Sequence, residues 1–412
     1  MTRYLQQKTL FAPQVDSRIA ANLGMIVVIP CSDEEALLFS LMSLKKCDPP
    51  QCSVEVIVII NHSEKAGAPI VEKNQKTYQE ASDWAQTNSR PEMKFHILYH
   101  PDLPWKYAGV GLARKIGMDE ASWRLEKANK PDGIIICFDA DSKCERNYLT
   151  AIETHFQNHP GSSACGIHFE HPLSGPEFDD TIYQAITLYE LHLRYYVHAQ
   201  RFAGFPFAYQ TIGSSMAVRN NAYQLQGGMN KRKAGEDFYF LHKFIELGTF
   251  TEIITTKVIP SPRPSHRVPF GTGKAVAALL KDKMAYKTYA PESFEAIKSL
   301  FSELKSYYNL SASDVFQVLP EPVAVFLQTV NFKEKWEELH HHTGHFETFQ
   351  KRFFRWFNAF MLMKYVHYAR DHFYPDVEVA KAAHKLLAKA GHSMVPEDEK
   401  NLLLFYRQLD LQ

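Results

Sequence analysis

Two short acidic motifs stand out in the 412-residue chain as groups that could do chemistry. The first is Asp139-Ala140-Asp141, directly after the apolar run Ile134-Ile135-Ile136-Cys137-Phe138. Carboxylates one residue apart at the end of a buried strand can hold a divalent cation through oxygen, and that cation can neutralise a diphosphate. Aspartate is also common in turns and at helix N-caps, so the pair alone leaves both readings open. The second motif is Glu236-Asp237, between Ala234-Gly235 and the apolar run Phe238 to Leu247. A helix starting there would hold both carboxylates charged through its dipole. Positive charge is available from Arg114 and Lys115, after Gly109-Val110-Gly111, and from Arg263, Arg267 and Lys274 in a loop with Gly271 and Gly273. Basic groups beside glycines suit phosphate contact.

The elements that must position these groups alternate. Met25–Pro30, Val54–Ile60 and Gly133–Phe138 are continuous apolar runs, the pattern of strands covered on both faces. Residues 95–99 add a strand. Helical periodicity covers the stretch from Cys31 through Leu44, residues 70–90 and 112–128, with Asn61-His62-Ser63 read as an exit loop. This order predicts a parallel α/β sheet, whose ligands bind beyond the carboxyl ends of its strands. Further on, residues 150–159 and 178–201 read as helices, and 164–169, 211–218 and 251–259 as extended. From about residue 275 glycines thin out and helical periodicity runs to the end. The expected division is an irregular arm (1–24), an α/β domain (25–275) and an α-helical region (276–412).

Composition points to an ordinary globular protein, 45% hydrophobic and 22% charged. Lys+Arg and Asp+Glu both number 46, a balance that gives no reason to expect a nucleic-acid partner. No apolar run reaches the roughly 18–20 residues that span a bilayer, and the N-terminus lacks a signal-peptide core. Six cysteines without a C-x-x-C pair predict reduced thiols. The expected location is therefore cytoplasmic.

Taken in order, the motifs resemble those of family 2 glycosyltransferases of the GT-A fold. Ile29-Pro30-Cys31-Ser32-Asp33-Glu34-Glu35 resembles the first-strand segment, Glu55 to Ser63 the second, and Gly111-Leu112-Ala113-Arg114-Lys115-Ile116-Gly117 the following helix motif. Asp139-Ala140-Asp141 resembles the D-x-D, and Gly227-Gly228-Met229 with Gly235-Glu236-Asp237 the later glycine and acidic motifs. The resemblance implies a nucleotide-diphospho-sugar transferase (Rossmann-like) sheet with helices on both faces. It implies a metal-dependent, inverting transfer of a sugar from a UDP- or GDP-sugar to an acceptor hydroxyl, with Mn²⁺ or Mg²⁺. Asp237 becomes the base and Glu236 its neighbour orienting the acceptor or the base. Pro30, Glu34, Asn61, Arg114, Lys115, Asp139 and Ala140 fall on the donor side. Asp139, Asp141 and His266 become the metal ligands, and Gly227, Gly228, Met229 and Gly235 the acceptor side. The acceptor would be a glycan, a lipid-linked sugar or a small molecule.

Two departures bear on the donor. Ile60-Asn61 stands where the family carries acids that contact the base, and Ser32-Asp33 stands where Tyr-Asn is usual. A sugar-phosphate nucleotidyltransferase would also use D-x-D, but with a basic glycine-rich loop after the first strand, where this chain is acidic. A non-catalytic sugar-nucleotide-binding scaffold would not need Glu236-Asp237. In the helical region, the aromatic residues of 349–368 read first as a buried core helix. With their flanking lysines and arginines they also read as an interfacial helix giving peripheral contact at the inner membrane face. His340 to His345 reads as an exposed polar turn.

Overall fold

Aliphatic runs build the middle of one large sheet. The computed structural model describes residues 2–265, 267, 271–282 and 286–412. Its elements run α1 (Arg3–Gln7), β1 (Leu23–Cys31), α2 (Leu37–Lys45), β2 (Ser53–Ser63), α3 (Ala68–Asn88), β3 (Met93–Leu103), α4 (Val110–Lys127), β4 (Ile134–Cys137), β5 (Lys143–Cys144), α5 (Tyr148–Asn158), β6 (Ala164–Phe169), α6 (Asp180–Phe202), β7 (Met216–Arg219), α7 (Asn220–Leu225), α8 (Glu236–Ile245) and β8 (Phe250–Ile259). Eight strands pair in the order β3-β2-β1-β4-β7-β6-β8-β5. The first four are mutually parallel, β7 is antiparallel to β4 and to β6, and β6 and β8 are parallel. Met25–Ile29 and Val56–Ile60 are wholly buried, which is why these strands show no alternation. Each such side chain contributes about 1.5–3 kcal/mol by leaving water.

Chain direction sets the site. Successive right-handed crossovers from β1 to β2 to β3 put α2 and α3 on one face, and the return from β3 to β4 puts α4 on the other. The α/β sheet with helices on both faces is thus as the motifs imply. Strand order reverses between β1 and β4, and the crevice outside their carboxyl ends is where such sheets bind ligands. β2 runs longer than expected: Asn61 pairs with His100 of β3, so Asn61-His62-Ser63 is strand and not loop.

α4 carries buried charges all round. Arg124 binds Glu55 of β2 and the Val15 carbonyl (2.9 Å), and Glu120 accepts from the Gln14 (2.9 Å) and Val15 (3.2 Å) backbone N–H groups. The N-terminal arm therefore lies on α4, and it is not irregular throughout. Its helix α1 is capped by Thr2, and the Tyr4 hydroxyl donates to Asp119 at 2.7 Å. Gly117 lets α4 cross β1 closely, because a Cβ there would overlap Val28. All six cysteines are free; the Cys47 sulfur faces Cys144 at 3.6 Å.

By compactness the chain forms two units, residues 1–175 with 211–277, and 176–210 with 278–412. The sheet belongs to the first. In the second, α6 packs with helices Val379–Lys389 and Glu399–Leu409. Sequence order alone places α6 with the α/β domain; its packing places it with the C-terminal helices. At its centre Glu190 pairs with Arg194 and Arg407 at 2.8 Å each. Phe349, Phe353, Phe357 and Tyr365 are fully buried within this unit. Phe353 stacks on Phe349 and Phe357, and Tyr365 meets Phe326, so these rings form core, while Phe360 in the same stretch is exposed. His340 is not an exposed turn: its ring nitrogens meet the Trp336 and Tyr308 carbonyls at 2.8 and 2.7 Å. Among the described residues no helix is long and apolar enough to cross a membrane.

Candidate active site

The chain leaves β4 through Phe138 into Asp139-Ala140-Asp141, and the two carboxylates go to different partners. Asp139 turns toward the starts of α4 and α8. Arg114, one turn into α4, donates to Asp139 at 2.6 Å and also to Glu236, the first residue of α8. Arg114 and Glu236 are almost wholly buried, whereas the Asp139 side chain is 36% exposed. One guanidinium thus ties the β4 exit to the α8 start. Gly213, just before β7, leaves the space it fills, since a Cβ there would overlap the guanidinium. Gly235 adopts φ +69°, a left-handed turn that suits glycine and delivers Glu236 and Asp237 at the head of α8.

Asp141 turns the other way. It accepts from Arg263 at 3.0 and 3.1 Å and pairs with Arg267 at 3.6 Å. Both arginines also bind Glu34, with Arg267 at 2.9 Å. Glu34 lies in the β1 exit, is buried, and accepts a further bond from the Ala36 N–H at 2.8 Å. Asn74 of α3 fastens this exit, accepting from the Asp33 N–H (2.8 Å) and donating to the Asn61 carbonyl (3.0 Å).

The electrostatics follow from burial. Burial pushes Glu236 up to about 7, against the pull of Arg114 and with the added push of Asp237. Asp237 is raised by burial too, opposed by Arg114 and by the Phe238 N–H that its Oδ1 accepts at 2.8 Å. Asp141 is raised by burial and by Glu34 and Asp139 beside it, with Arg263 and Arg267 pulling it back. Burial works against charge on Arg114, but Asp139 and Glu236 outweigh it and hold the guanidinium charged.

The structure brings together Glu34, Arg114, Asp139, Asp141, Glu236 and Asp237, with Pro30 and the buried Ala140 in the same strand exits. Asn61 is buried at the end of β2. Lys115 lies elsewhere: it pairs with Asp119 at 2.9 Å and with the Tyr4 hydroxyl at 3.1 Å, so its charge is already met. Gly227 and Gly228, at φ +75° and +72°, form the turn after α7, and a Cβ on Gly228 would overlap Tyr4. Met229 is buried beside them. This turn reaches α8 through Asn230, which donates to the Glu236 carbonyl at 2.8 Å. His266 lies outside the described residues. Sequence reasoning missed Asn74, Gly213 and Asn230. Only Gly213 offered a signal, as a glycine in an extended stretch.

Asp139 and Asp141 each keep one carboxylate oxygen without a hydrogen-bond partner among the described residues. These are hard donors of the kind Mg²⁺ and Mn²⁺ take together with substrate phosphate and water. Among the described residues no three metal-binding side chains converge, so such an ion would draw its remaining ligands from elsewhere.

No protein-family model matches the chain, and no curated protein does. Among solved structures it is similar to S. aureus TarS. Residues 1–349 of that protein, in complex with UDP-GlcNAc, align at 13% identity and a TM-score of 0.42, covering 76% of this chain and 88% of that one. The same fragment with UDP aligns at 12% identity and a TM-score of 0.37, covering 72% and 78%.

Proposed function

We propose that this chain is an inverting glycosyltransferase that moves a sugar from a nucleoside-diphosphate donor to an acceptor hydroxyl. The observation that carries the reading is the division of Asp139 and Asp141 between two charge clusters at the strand-order reversal. One cluster, Glu34 with Arg263 and Arg267, holds cations that a diphosphate can take over. The other, Arg114 with Glu236 and Asp237, gathers carboxylates at the head of α8, which supports a base there.

Asp237 is the base. Its raised proton affinity suits it to take the acceptor's hydroxyl proton as that oxygen attacks the anomeric carbon. The new C–O bond forms as the bond to the diphosphate breaks, and the electron pair leaves with the nucleoside diphosphate. A single displacement inverts the anomeric centre. Glu236, anchored to Arg114, positions α8 and keeps the base oriented. Asp141, with Asp139, would hold Mn²⁺ or Mg²⁺. That ion, when bound, supplies charge that stabilises the leaving diphosphate.

A second form of the reading rests on Arg263 and Arg267 themselves. Two guanidiniums already on Asp141 could bind the diphosphate directly and make a metal dispensable. Thermal shifts with UDP- and GDP-sugars, with and without Mn²⁺, test both forms, because a ligand raises apparent stability only by binding the native state. Stabilisation by a donor supports the transferase, and its dependence on Mn²⁺ separates the two forms. No shift with any donor would overturn the reading.

A further inference from the structure

One exposed surface is left over from this chemistry. The loop leading into α4 puts Trp105 and Tyr107 into solvent, 55% and 37% exposed, and α8 adds Tyr239 at 37%. Large aromatic rings exposed together mark a contact surface more often than an accident of packing. Cations cover them. Lys233 and Lys65 lie over the Trp105 ring at 4.5 and 5.2 Å, Lys231 and Lys106 over Tyr107 at 5.3 Å each, and Arg232 over Tyr239 at 3.7 Å. None of these five cations has a carboxylate within 4 Å among the described residues. The nearby Glu64 accepts from the Trp105 backbone N–H at 3.1 Å and not from a cation. In a chain of zero net charge, this is a concentrated local excess.

The surface is fastened to the proposed base. Asn230 accepts from the Arg232 N–H at 3.1 Å and donates to the Glu236 carbonyl at 2.8 Å. Gly109 and Gly111 at the start of α4 let the Lys233 and Arg232 backbone approach. Lys233 is four residues before Asp237 in the chain.

We infer that this basic, aromatic surface binds the acceptor, and that the acceptor is an anionic glycan. The inference rests on the transferase reading. Cations without a carboxylate in reach attract carboxylate or phosphate groups repeated along a saccharide, while the ring surface that the cations leave in solvent can pack against the C–H side of sugar rings. A neutral acceptor would leave the cations without purpose, and a nucleic acid would use the same charges without the neighbouring base.

The test is fluorescence anisotropy of the full chain with a labelled heparin oligosaccharide, a neutral maltooligosaccharide of equal length and a labelled RNA oligomer. Donor-induced thermal shift of the unaltered protein is recorded in parallel. The expected result is binding of the heparin oligosaccharide at least tenfold tighter than the neutral one and weakened by salt. A second expectation is a tenfold or greater loss in the Lys231→Ser/Lys233→Ser variant and in Trp105→Ala, both melting as the parent does. Equal binding of neutral and anionic chains, or loss in neither variant, would overturn the inference, as would tighter binding of RNA. Glycan binding without any donor shift would leave the surface standing and remove the transferase reading; a donor shift without glycan binding would do the reverse.

Discussion

Glu236→Gln separates the charge of Glu236 from its shape. The buried carboxyl binds its proton more tightly in the folded chain than at its ordinary 4.5, up to about 7. A group raised in this way costs stability as it is forced to ionise. The contribution of Glu236 to stability is fully present below pH 4.5, is lost as pH rises to about 7, and then levels off. At about 1.4 kcal/mol for each pH unit, the loss comes to about 3 kcal/mol. Glutamine keeps the side chain's size but does not titrate. Any cost of weakening the Arg114 contact is the same at every pH. Urea unfolding of parent and variant at pH 5, 6, 7 and 8 should therefore show the stability difference moving in the variant's favour by about 2–3 kcal/mol across that range. Taking the difference between two proteins cancels the titrating groups remote from Glu236, while Asp237, which interacts with it, titrates with it as a pair. A difference that stays constant from pH 5 to pH 8 would refute the reasoning, since Glu236 would then be ionised throughout.

Arg114→Met leaves Asp139 and Glu236 without their shared cation. Removing one partner of a buried pair costs about 3–5 kcal/mol, and the exposure of Asp139 places the loss toward the lower value, measurable as a drop in melting temperature. Arg263→Ala/Arg267→Ala removes the charges that pull Asp141 down, so its carboxyl rises further and donor-induced stabilisation falls, read by thermal shift. The acid limb of transfer against pH should lie above the ordinary aspartate value of 3.8, because a base raised by burial loses its charge earlier as pH falls. Glu236 and Asp237 interact, so the apparent value belongs to the pair.

Much of the fold was legible because burial on both faces writes itself as uninterrupted aliphatic sequence. β1, β2 and β4 were readable for that reason, and the acidic motifs fell at strand and helix ends as their spacing implied. What was hidden depends on partners far apart in the chain. The arm reads as irregular because Tyr4 meets Asp119 and Tyr223, residues with no local mark. Lys115 reads like Arg114, yet they are adjacent on a helix and point to different neighbours, one to Asp119 and one to Glu236. Gly227-Gly228 reads as a binding motif, while its contact with Tyr4 shows a packing reason for the second glycine. The division of Asp139 from Asp141 between two clusters needed the loop after β8, whose arginines come more than 120 residues later.

The most direct measurement is the rate of sugar transfer by Asp237→Asn beside its affinity for the donor. A donor must first be found by thermal shift, and an acceptor supplied. With Asp237 as the base, the variant binds donor as the parent does and loses transfer by about 10²–10⁴-fold. Transfer at the parental rate with donor bound would contradict the account.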